Sequence, residues 1–302
     1  MGGDGDEEAR EMAQEWSGVA GRRVLLTGAT GGIGLAAAEA LAARGARLAI
    51  VARSAERAGE ALTRIRRAAA EVEVDVFLAD LSSQAAVRAL AAEVLERCAT
   101  LEVLVNNAGA VYRSRQLSVD GIELTWAVNH LAPFLLTNLL LERLRASAPA
   151  RIVTTSSLAH RGAQLPFGDV DAERSYRGWR RYGETKLANI AFTAELARRL
   201  EGSGVTANCF HPGLVASGFN RNNGRVMRAA MGALRPLSRS PEHGARTLVW
   251  LADAPEASGE QGGYFVDERR KAPSAAARDM VTAGMLWALS ERQTGLWEGS
   301  TP

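Results

Sequence analysis

Short apolar runs alternate with longer stretches of helical periodicity along most of this 302-residue chain. The runs are rich in Val, Ile, Leu or Phe, and most end in Gly, Asn, Ser or Asp, which is typical of strands buried on both faces. There are seven of them, at residues 22–28, 46–53, 72–80, 101–109, 151–157, 205–213 and 262–267. Helical periodicity covers residues 33–44, 54–70, 83–98, 120–145, 182–202 and 241–253.

This alternation predicts an α/β fold in which right-handed strand–helix–strand crossovers build a parallel sheet. Because seven strands make one sheet, we predict a single doubly wound Rossmann domain over residues 18–302, with helices on both faces. Residues 1–17 are acidic and are predicted to form a peripheral extension. Two insertions, 158–181 and 214–240, follow the fifth and sixth strands, where long segments usually cover a site.

Composition argues against several classes of function. The 36 basic and 34 acidic residues leave a net charge of +2, which gives no indication of a nucleic-acid partner. No basic-then-apolar leader and no apolar run of about 18 uncharged residues is visible, so we predict no membrane span. Cys98 and Cys209 lack CxxC spacing and fit a reducing cytoplasm. The four histidines show no paired spacing, which argues against a metal site.

The first strand runs into a glycine-rich turn, "VLLTGATGGIG", from Val24 to Gly34. Glycines here let the backbone approach a pyrophosphate at the N-terminus of the next helix, where unpaired N–H groups favour negative charge. The spacing is GxxxGxG, which differs from the common GxGxxG fingerprint, and a tight structural turn is the alternative. The predicted cofactor contacts in this turn are Gly28, Thr30, Gly31, Gly32, Ile33 and Gly34.

Tyr182 and Lys186 are four residues apart and therefore share one face of a predicted helix. A free tyrosine has a pKa near 10, so an adjacent ammonium that stabilises the phenolate would lower that pKa and make the phenol a better acid or base. Tyr176 and Arg180 have the same spacing. However, a guanidinium hardly deprotonates and Arg180 precedes the apolar periodicity, so we favour Tyr182.

Taken together, "TGATGGIG", "NNAG" at 106–109, Ser157 and Tyr182-x-x-x-Lys186 resemble the short-chain dehydrogenase/reductase superfamily, ordinary short subtype. The resemblance covers about residues 20–267, with the motifs in the family's order. The segments "TKLAN" and "MLWALSERQTG" are similar to the retinol dehydrogenase-like branch. This resemblance implies hydride transfer between a nicotinamide cofactor and a carbonyl or alcohol.

The resemblance also implies four catalytic residues. Tyr182 is the general acid in reduction and the base in oxidation, and Lys186 also bonds the nicotinamide ribose. Ser157 bonds the substrate oxygen, with Ser156 as the weaker choice. Asn129 kinks its helix and holds a water that connects Lys186 to solvent; Pro133, four residues on, makes a distortion there plausible.

Further cofactor contacts are implied at the ends of later strands. Asp80, followed by Leu81, accepts a bond from the adenine amino group, although Asp80 or Ser82 could instead cap a helix. Asn106 and Asn107 can bond across strand ends, and Ala108 and Gly109 leave room for the adenine ribose, with a polar turn as the alternative. The contacts implied after the sixth strand, to the nicotinamide or a phosphate, are Pro212, Gly213, Val215 and Ser217.

The second strand indicates which nicotinamide is used. Sites that prefer NAD place an acidic residue about 20 residues past the glycines, and that residue bonds the ribose hydroxyls. This chain has Arg53 there, with Arg57 one turn later. A guanidinium can grip a 2′-phosphate with two hydrogen bonds, so we predict NADP(H). The alternative is that Arg53 is an ordinary surface arginine.

Ser157 and Tyr182 are 25 positions apart, and the long loop between them resembles that of the retinol dehydrogenase-like branch. We predict that apolar residues of both insertions wall a bulky, apolar substrate pocket; otherwise they pack on one another. They are Leu165, Phe167, Tyr176, Trp179, Phe219, Val226 and Met227. A small-residue stripe of Ala188, Ala191 and Ala194 would pack on the core or on a second subunit of a homodimer or homotetramer.

The sequence thus predicts a cytoplasmic, NADP(H)-dependent carbonyl reductase or alcohol dehydrogenase. One alternative is an epimerase or dehydratase of the extended subtype, because Gly31 also allows the turn to be read as GxxGxxG. Another is a cofactor-binding sensor or scaffold without turnover, although all four catalytic positions are filled. The natural substrate and the direction of the reaction lie beyond what pattern reading provides.

Overall fold

The computed structural model describes residues 16–215 and 238–296. One eight-stranded sheet, ordered β3-β2-β1-β4-β5-β6-β7-β8, runs through it. The strands are β1 (Arg23–Thr27), β2 (Arg47–Ala52), β3 (Val74–Leu78), β4 (Val103–Asn106), β5 (Ala150–Thr155), β6 (Val205–Phe210), β7 (Tyr264–Val266) and β8 (Arg269–Lys271). Strands β1 to β7 pair in parallel, which confirms the doubly wound α/β prediction.

The eighth strand is a difference from the predicted seven. β8 pairs antiparallel with β7 through a tight turn in which Asp267 and Glu268 both have positive φ, 51° and 61°. Its three residues are exposed and basic. Since apolar periodicity is the signal that identifies buried strands, a short charged edge strand of this kind escapes it.

Helices cover both faces of the sheet. They are α1 (Gly32–Ala42), α2 (Ala55–Ala68), α3 (Gln84–Arg97), α4 (Leu124–Ala146), α5 (Gly178–Arg199), α6 (Pro241–Asp253) and α7 (Met280–Thr294). α5 begins four residues before the predicted 182, so its first turn already contains Trp179. α4 contains a π-helical turn, Ala127–Leu131.

Two apolar layers hold the helices to the sheet. On one face α1 and α6 pack through Leu41 and Leu248, and on the other α3, α4 and α5 pack through residues such as Phe134 and Leu196. Trp16 belongs to the first layer, where it is 5% exposed and its indole N–H donates to the Asp253 carbonyl over 2.8 Å. The packed domain therefore begins before the predicted boundary at residue 18.

The stripe of small residues on α5 is covered by α7. Ala188 and Ala191 are buried against Ala283 and Leu286 of α7 and against Trp126 of α4. The contact is internal, so the core-packing reading of this stripe is the one that the structure supports.

α4 is long and apolar enough to cross a membrane, with a mean hydropathy of 1.3 over its most apolar window. However, 72% of that window is buried inside the fold. A buried core helix of a globular domain has the same composition.

Candidate active site

A cleft of about 540 Å³ opens at the carboxyl ends of the parallel strands. It spans the point where β1 lies between β2 and β4, at which the strand order changes direction and which binds ligands in open α/β sheets. Most of the predicted site residues line it: Gly28, Thr30, Gly31, Gly32, Ile33, Gly34, Asn107, Ala108, Gly109, Ser157, Tyr182, Lys186, Pro212, Gly213 and Val215.

The glycine turn has no room for side chains at two positions. A Cβ on Gly28, where φ is +70°, would lie 2.9 Å from the Ala108 Cα, and a Cβ on Gly34 would lie 2.2 Å from the Gly28 carbonyl oxygen. α1 then begins with no side chain capping its N-terminus and no acidic residue in its first turn. An uncapped helix N-terminus has unpaired N–H groups, and next to backbone without side chains these can bind a pyrophosphate.

Replacing single glycines should separate packing from cofactor binding. We expect Gly34→Ala to lower the melting temperature, because its Cβ would overlap the Gly28 carbonyl. Gly31 has extended φ (177°) and open space around its Cβ position. Gly31→Ala should therefore keep the melting temperature but weaken binding of the predicted nicotinamide dinucleotide by about tenfold or more, since the methyl group takes up the predicted cofactor space. Thermal denaturation and fluorescence titration with NADPH and NADH measure the two effects, and unchanged binding by Gly31→Ala would contradict the predicted placement of the pyrophosphate.

The end of β4 is tied to β1 by side-chain bonds. The Thr27 hydroxyl accepts the backbone N–H groups of Asn107 and Ala108 at 3.0 and 3.1 Å, and the Asn107 amide donates to the Thr27 carbonyl. Thr155 donates to the Asn107 Oδ1 over 3.2 Å. The "NNAG" segment is thus a braced strand end that keeps Ala108 and Gly109 at the cleft wall. The sequence predicts this segment from its motif, but it does not predict that Thr27 braces it.

Tyr182 and Lys186 lie in the first half of α5 and both face the cleft. The Lys186 Nζ lies 5.6 Å from the centre of the Tyr182 ring and donates a 3.0 Å hydrogen bond to the Thr155 carbonyl. Trp179 contacts Tyr182 edge-on, with ring centres 5.9 Å apart. The helical spacing therefore places an ammonium beside the phenol, as the sequence predicts.

The expected lowering of the phenol's pKa is not found for the protein groups alone. Burial raises the pKa of Tyr182 to about 12, even though a hydrogen bond with Ser157 acts in the opposite direction. Burial also lowers the pKa of Lys186 to about 8. Desolvation disfavours both charged forms and is the largest cause of each pKa shift, although the Lys186 Nζ lies beside the Tyr182 ring. The phenol is consequently held protonated, which is the form that donates a proton to a carbonyl.

The two serines after β5 have different tasks. Ser156 is 1% exposed and its hydroxyl donates to the Lys186 carbonyl over 2.9 Å, which ties β5 to α5. Ser157 is hydrogen-bonded to the Tyr182 phenol and accepts the Ala159 N–H at 3.2 Å. This arrangement favours Ser157 as the serine that meets a substrate oxygen.

Asn129 occupies the π-helical turn of α4 and is fully buried. Pro133 has no N–H to offer the Asn129 carbonyl, which accounts for the distortion that the sequence predicts at this point. The Asn129 side chain accepts the Ala110 N–H at 2.7 Å and donates to the Ala110 carbonyl and to the Thr185 hydroxyl. Thr185 in turn donates to the Tyr182 carbonyl over 2.8 Å. Asn129 therefore braces the Tyr182 helix from outside the cleft lining.

A buried ionic network behind Tyr182 was missed by sequence reasoning. Arg181 is 1% exposed; its Nε donates to the Glu123 carboxylate over 2.7 Å, and its Nη1 to Glu184 over 3.3 Å. A further Arg181 bond reaches the Val170 carbonyl in the loop before α5. In the sequence, "RRYGE" reads as a solvated helix start, and only the three-residue spacing of Arg181 and Glu184 hints at the pair.

Three predicted cofactor residues lie outside the cleft lining. Arg53 is exposed at the end of β2, and the arginines that line the cleft there are Arg57 and Arg64. The Asp80 carboxylate accepts the Ser82 N–H and hydroxyl, and α3 is capped by Ser83, so neither Asp80 nor Ser82 is the cap. Leu81 packs against the apolar layer around α3 and α4.

The predicted substrate wall is only partly present. Trp179 lines the cleft. Leu165 packs against the clusters under α7, Phe167 lies on the surface, and the Tyr176 hydroxyl bonds Thr125 and the Tyr112 carbonyl. The Tyr176 hydroxyl therefore makes hydrogen bonds within the protein, and its ring does not line the cleft. The other predicted wall residues, Phe219, Val226 and Met227, and the predicted cofactor contact Ser217 lie outside the described residues.

Within residues 16–215 and 238–296, no three His, Cys, Asp or Glu side chains come together in a way that could hold a metal ion. The reactive groups that line the cleft are the Tyr182 phenol, the Lys186 ammonium and the Ser157 hydroxyl, and the glycine turn lines the same cleft.

Comparison of the sequence with known proteins shows its family. The profile of the family described as short chain dehydrogenase matches residues 22–227. Retinol dehydrogenase 12 of Mus musculus is 40% identical over 281 residues, which covers 93% of this chain and 89% of that protein. Retinol dehydrogenase 13 of Homo sapiens is 39% identical over 284 residues, covering 92% and 86%.

Solved structures have the same fold. An uncharacterised protein from Mycobacterium paratuberculosis superposes with a TM-score of 0.75 at 31% identity, covering 94% of this chain and 96% of that one. A short chain dehydrogenase from Burkholderia cenocepacia, solved in complex with NADP, gives a TM-score of 0.66 at 29% identity, covering 82% and 96%. The similarity to the first extends over nearly the whole chain.

Proposed function

The chain belongs to the short chain dehydrogenase family, and on that premise we propose that it is an NADP(H)-dependent oxidoreductase. It would reduce a bulky, mostly apolar ketone or aldehyde, or oxidise the matching secondary alcohol. The observation that carries the proposal is the convergence of Ser157, Tyr182 and Lys186 on one cleft whose other end is the glycine turn.

The residues present fit a dinucleotide. The turn at Gly28 and Gly34 has backbone where a Cβ would clash, and the first turn of α1 is uncapped, so the phosphates would lie there. Pro212 and Gly213 would border the nicotinamide, and Lys186 would bond its ribose. When bound, the cofactor supplies or accepts the hydride.

The protein's own share of the chemistry is positioning and proton transfer. The Ser157 hydroxyl would hold the substrate oxygen next to the phenol to which it is already hydrogen-bonded. Tyr182, kept protonated by burial, would donate its proton to that oxygen in reduction and accept one in oxidation. Lys186 places a positive charge beside the ring, which stabilises the phenolate left after the transfer.

An apolar substrate is supported by the lining of the cleft. Trp179 and Leu214 line it and are each 49% exposed, although both are large apolar residues. Exposed apolar side chains at a cleft are typical of a binding surface. The retinol dehydrogenases among the relatives are named for an apolar alcohol. A panel of apolar ketones and aldehydes, with retinal as one member, should consume NADPH, and no consumption with any of them would favour a sensor without turnover.

The preference for NADP(H) rests on cations at the end of β2. Arg53 and Arg57 form no ion pair with an acidic side chain within residues 16–215 and 238–296, which leaves both available to a phosphate. The Burkholderia cenocepacia neighbour was solved with NADP. A guanidinium and a 2′-phosphate form charge-assisted, bidentate hydrogen bonds.

Charge reversal at Arg53 tests this preference. We expect Arg53→Asp to weaken NADPH binding by about 10- to 100-fold, the equivalent of one lost charged hydrogen-bond pair, while NADH binding is retained or improved. Arg57→Ala is the companion variant, because Arg57 lines the cleft directly. Dissociation constants for both cofactors, measured by fluorescence, decide the matter. If only Arg57→Ala weakens NADPH binding, the phosphate contact belongs to Arg57; if neither does, the NADP(H) assignment fails.

Location and assembly are also part of the proposal. A cytoplasmic location is supported by Cys98 and Cys209, which are both buried free thiols. Cell fractionation tests it, and recovery with membranes would contradict it. The family resemblance supports a homodimer or homotetramer. Its contact would avoid the stripe of Ala188 and Ala191, which α7 already covers.

A further inference from the structure

Two buried histidines bind the two ends of a single peptide unit, the one between Ser157 and Leu158. The Nδ1 of His160 lies 2.7 Å from the Ser157 carbonyl oxygen. The Leu158 N–H donates to the Nδ1 of His211 over 3.2 Å. His160 is 0% and His211 9% exposed, so neither contact competes much with water. The carbonyl and the N–H of the peptide that follows Ser157 are therefore each hydrogen-bonded to a histidine ring.

The partners determine the tautomer of each ring. A carbonyl can only accept, so the Nδ1 of His160 must carry the hydrogen. The Nε2 of His160 takes the N–H of Ser274 at 3.2 Å, which requires that nitrogen to be bare. His211 is the reverse case. Its Nδ1 accepts from both Leu158 and Gly213, the latter over 3.4 Å, so its hydrogen lies on Nε2.

Both rings must be neutral to keep these bonds. Burial lowers the pKa of His160 below its usual value and that of His211 to about 4. The charged groups that act on His211 are Arg239, Asp267 and Arg161, together with His160, and Arg161 also acts on His160. Since both pKa values are depressed, the neutral forms persist as the pH falls below the ordinary histidine value of about 6.5.

The two rings also connect distant parts of the chain to the serine. His211 follows β6 and, through Gly213, holds the segment that borders the nicotinamide side of the cleft. His160 reaches Ser274 in the segment between β8 and α7. Ser157 itself follows the end of β5, with extended backbone, and its hydroxyl caps the short 3-10 helix Leu158–His160 by accepting the Ala159 N–H.

From this arrangement we propose that His160 and His211, as neutral imidazoles of opposite tautomer, are positioning residues that fix the Ser157–Leu158 peptide and thereby aim the Ser157 hydroxyl at the substrate oxygen. The inference deepens the proposed function and rests on it for its kinetic consequences. The ring nitrogens of both histidines bond backbone groups, and His160 also packs edge-on against Tyr264. Neither ring bonds the Ser157 hydroxyl, so their effect would reach the reaction through the position of Ser157.

The first test does not depend on turnover. Long-range ¹H–¹⁵N correlation spectra of the ¹⁵N-labelled protein report which ring nitrogen of each histidine carries hydrogen. We expect Nδ1–H for His160 and Nε2–H for His211 at neutral pH, with both rings becoming protonated only below the ordinary histidine value of about 6.5. The exposed His243 provides the reference signal. A protonated ring at neutral pH, or the opposite tautomer in either histidine, overturns the proposal whether or not a substrate is known.

The second test compares two replacements of His211. Asn places an amide oxygen where Nδ1 stands, so His211→Asn keeps the acceptor, whereas His211→Leu removes it. We expect His211→Leu to lower kcat by about 10- to 100-fold through misplacement of Ser157, with most of that loss restored in His211→Asn. The KM for NADPH and the melting temperature are measured alongside, because the Gly213 contact and folding could also respond.

The outcomes separate the two proposals. Equal kcat for the Leu and Asn variants, both folded, would overturn the positioning role while leaving the oxidoreductase intact. Absence of turnover in the unmodified protein would count against the proposed function, and the tautomer measurement would still decide the histidine assignment. His160→Asn, which keeps a donor at the Nδ1 position, should retain more activity than His160→Leu on the same argument.

Discussion

Tyr182→Phe should lower kcat by about 10²- to 10⁴-fold, the range typical for removal of a general acid–base group. The phenol hydroxyl is the only group lost, and it is the one bonded to Ser157 beside the Lys186 ammonium. Because the ring itself is kept, its edge-on contact with Trp179 should persist. NADPH binding, measured by fluorescence, is therefore expected to stay within about threefold, so that the loss appears in the chemical step.

Tyr176→Phe is the matched control. Tyr176 also precedes a basic residue by four positions, but its hydroxyl bonds Thr125 and the Tyr112 carbonyl, away from the cleft. Its replacement should cost about 1–3 kcal/mol of stability, as for two lost hydrogen bonds at about 0.5–1.5 kcal/mol each, with little change in kcat. If the two variants lose activity equally, or if Tyr182→Phe is as active as the unmodified protein, Tyr182 is not the proton donor.

Arg181→Met should destabilise the protein strongly. It leaves Glu123, which is fully buried, and Glu184 without their shared cation, and it breaks the link to the Val170 carbonyl. Removal of one partner from a buried ion pair typically costs about 3–5 kcal/mol. For a chain of this size, that corresponds to a fall in melting temperature on the order of 10 °C. Scanning calorimetry or thermal circular dichroism measures it.

The neighbouring arginine supplies the control for this change. Arg180 also pairs with Glu184, over 2.9 Å, but its side chain is 70% exposed. Exposed ion pairs are worth less than about 1 kcal/mol, so Arg180→Met should shift the melting temperature little. Similar shifts in melting temperature for the two variants would contradict this prediction. The buried ion pairs of Arg181 would then stabilise the protein no more than the exposed pair of Arg180.

The sequence predicted the seven parallel strands because each is an apolar run, and the carboxyl edge of a parallel sheet is where such folds bind ligands. The glycines of the turn, Asn107–Gly109 of "NNAG", Ser157, Tyr182 and Lys186 carry local signals, and all of them line the cleft. The distortion of α4 was also predictable, since Pro133 removes the bond that Asn129 would otherwise accept.

Features that depend on burial and long-range contact could not be obtained in this way. The pKa of Tyr182 rises instead of falling because burial at the packed site disfavours the charged phenolate, although the Lys186 Nζ lies 5.6 Å from the ring centre. Arg181 looks like surface until Glu123, which is 58 positions away, is folded against it. Likewise, the partners of His160 and His211 are backbone groups, which leave no residue pattern to detect.

The packing of α7 against α5 affects how the protein folds during its synthesis. The helix that carries Tyr182 and Lys186 emerges from the ribosome well before residues 280–294, yet Ala188, Ala191 and Phe192 are buried against that later segment. During translation the nascent chain therefore exposes an apolar surface on the helix that carries Tyr182 and Lys186. Chaperones bind exposed apolar surfaces of this kind. A premature stop codon upstream of α7 would make this exposure permanent, so truncated products should be degraded or aggregate instead of accumulating as partly active enzyme.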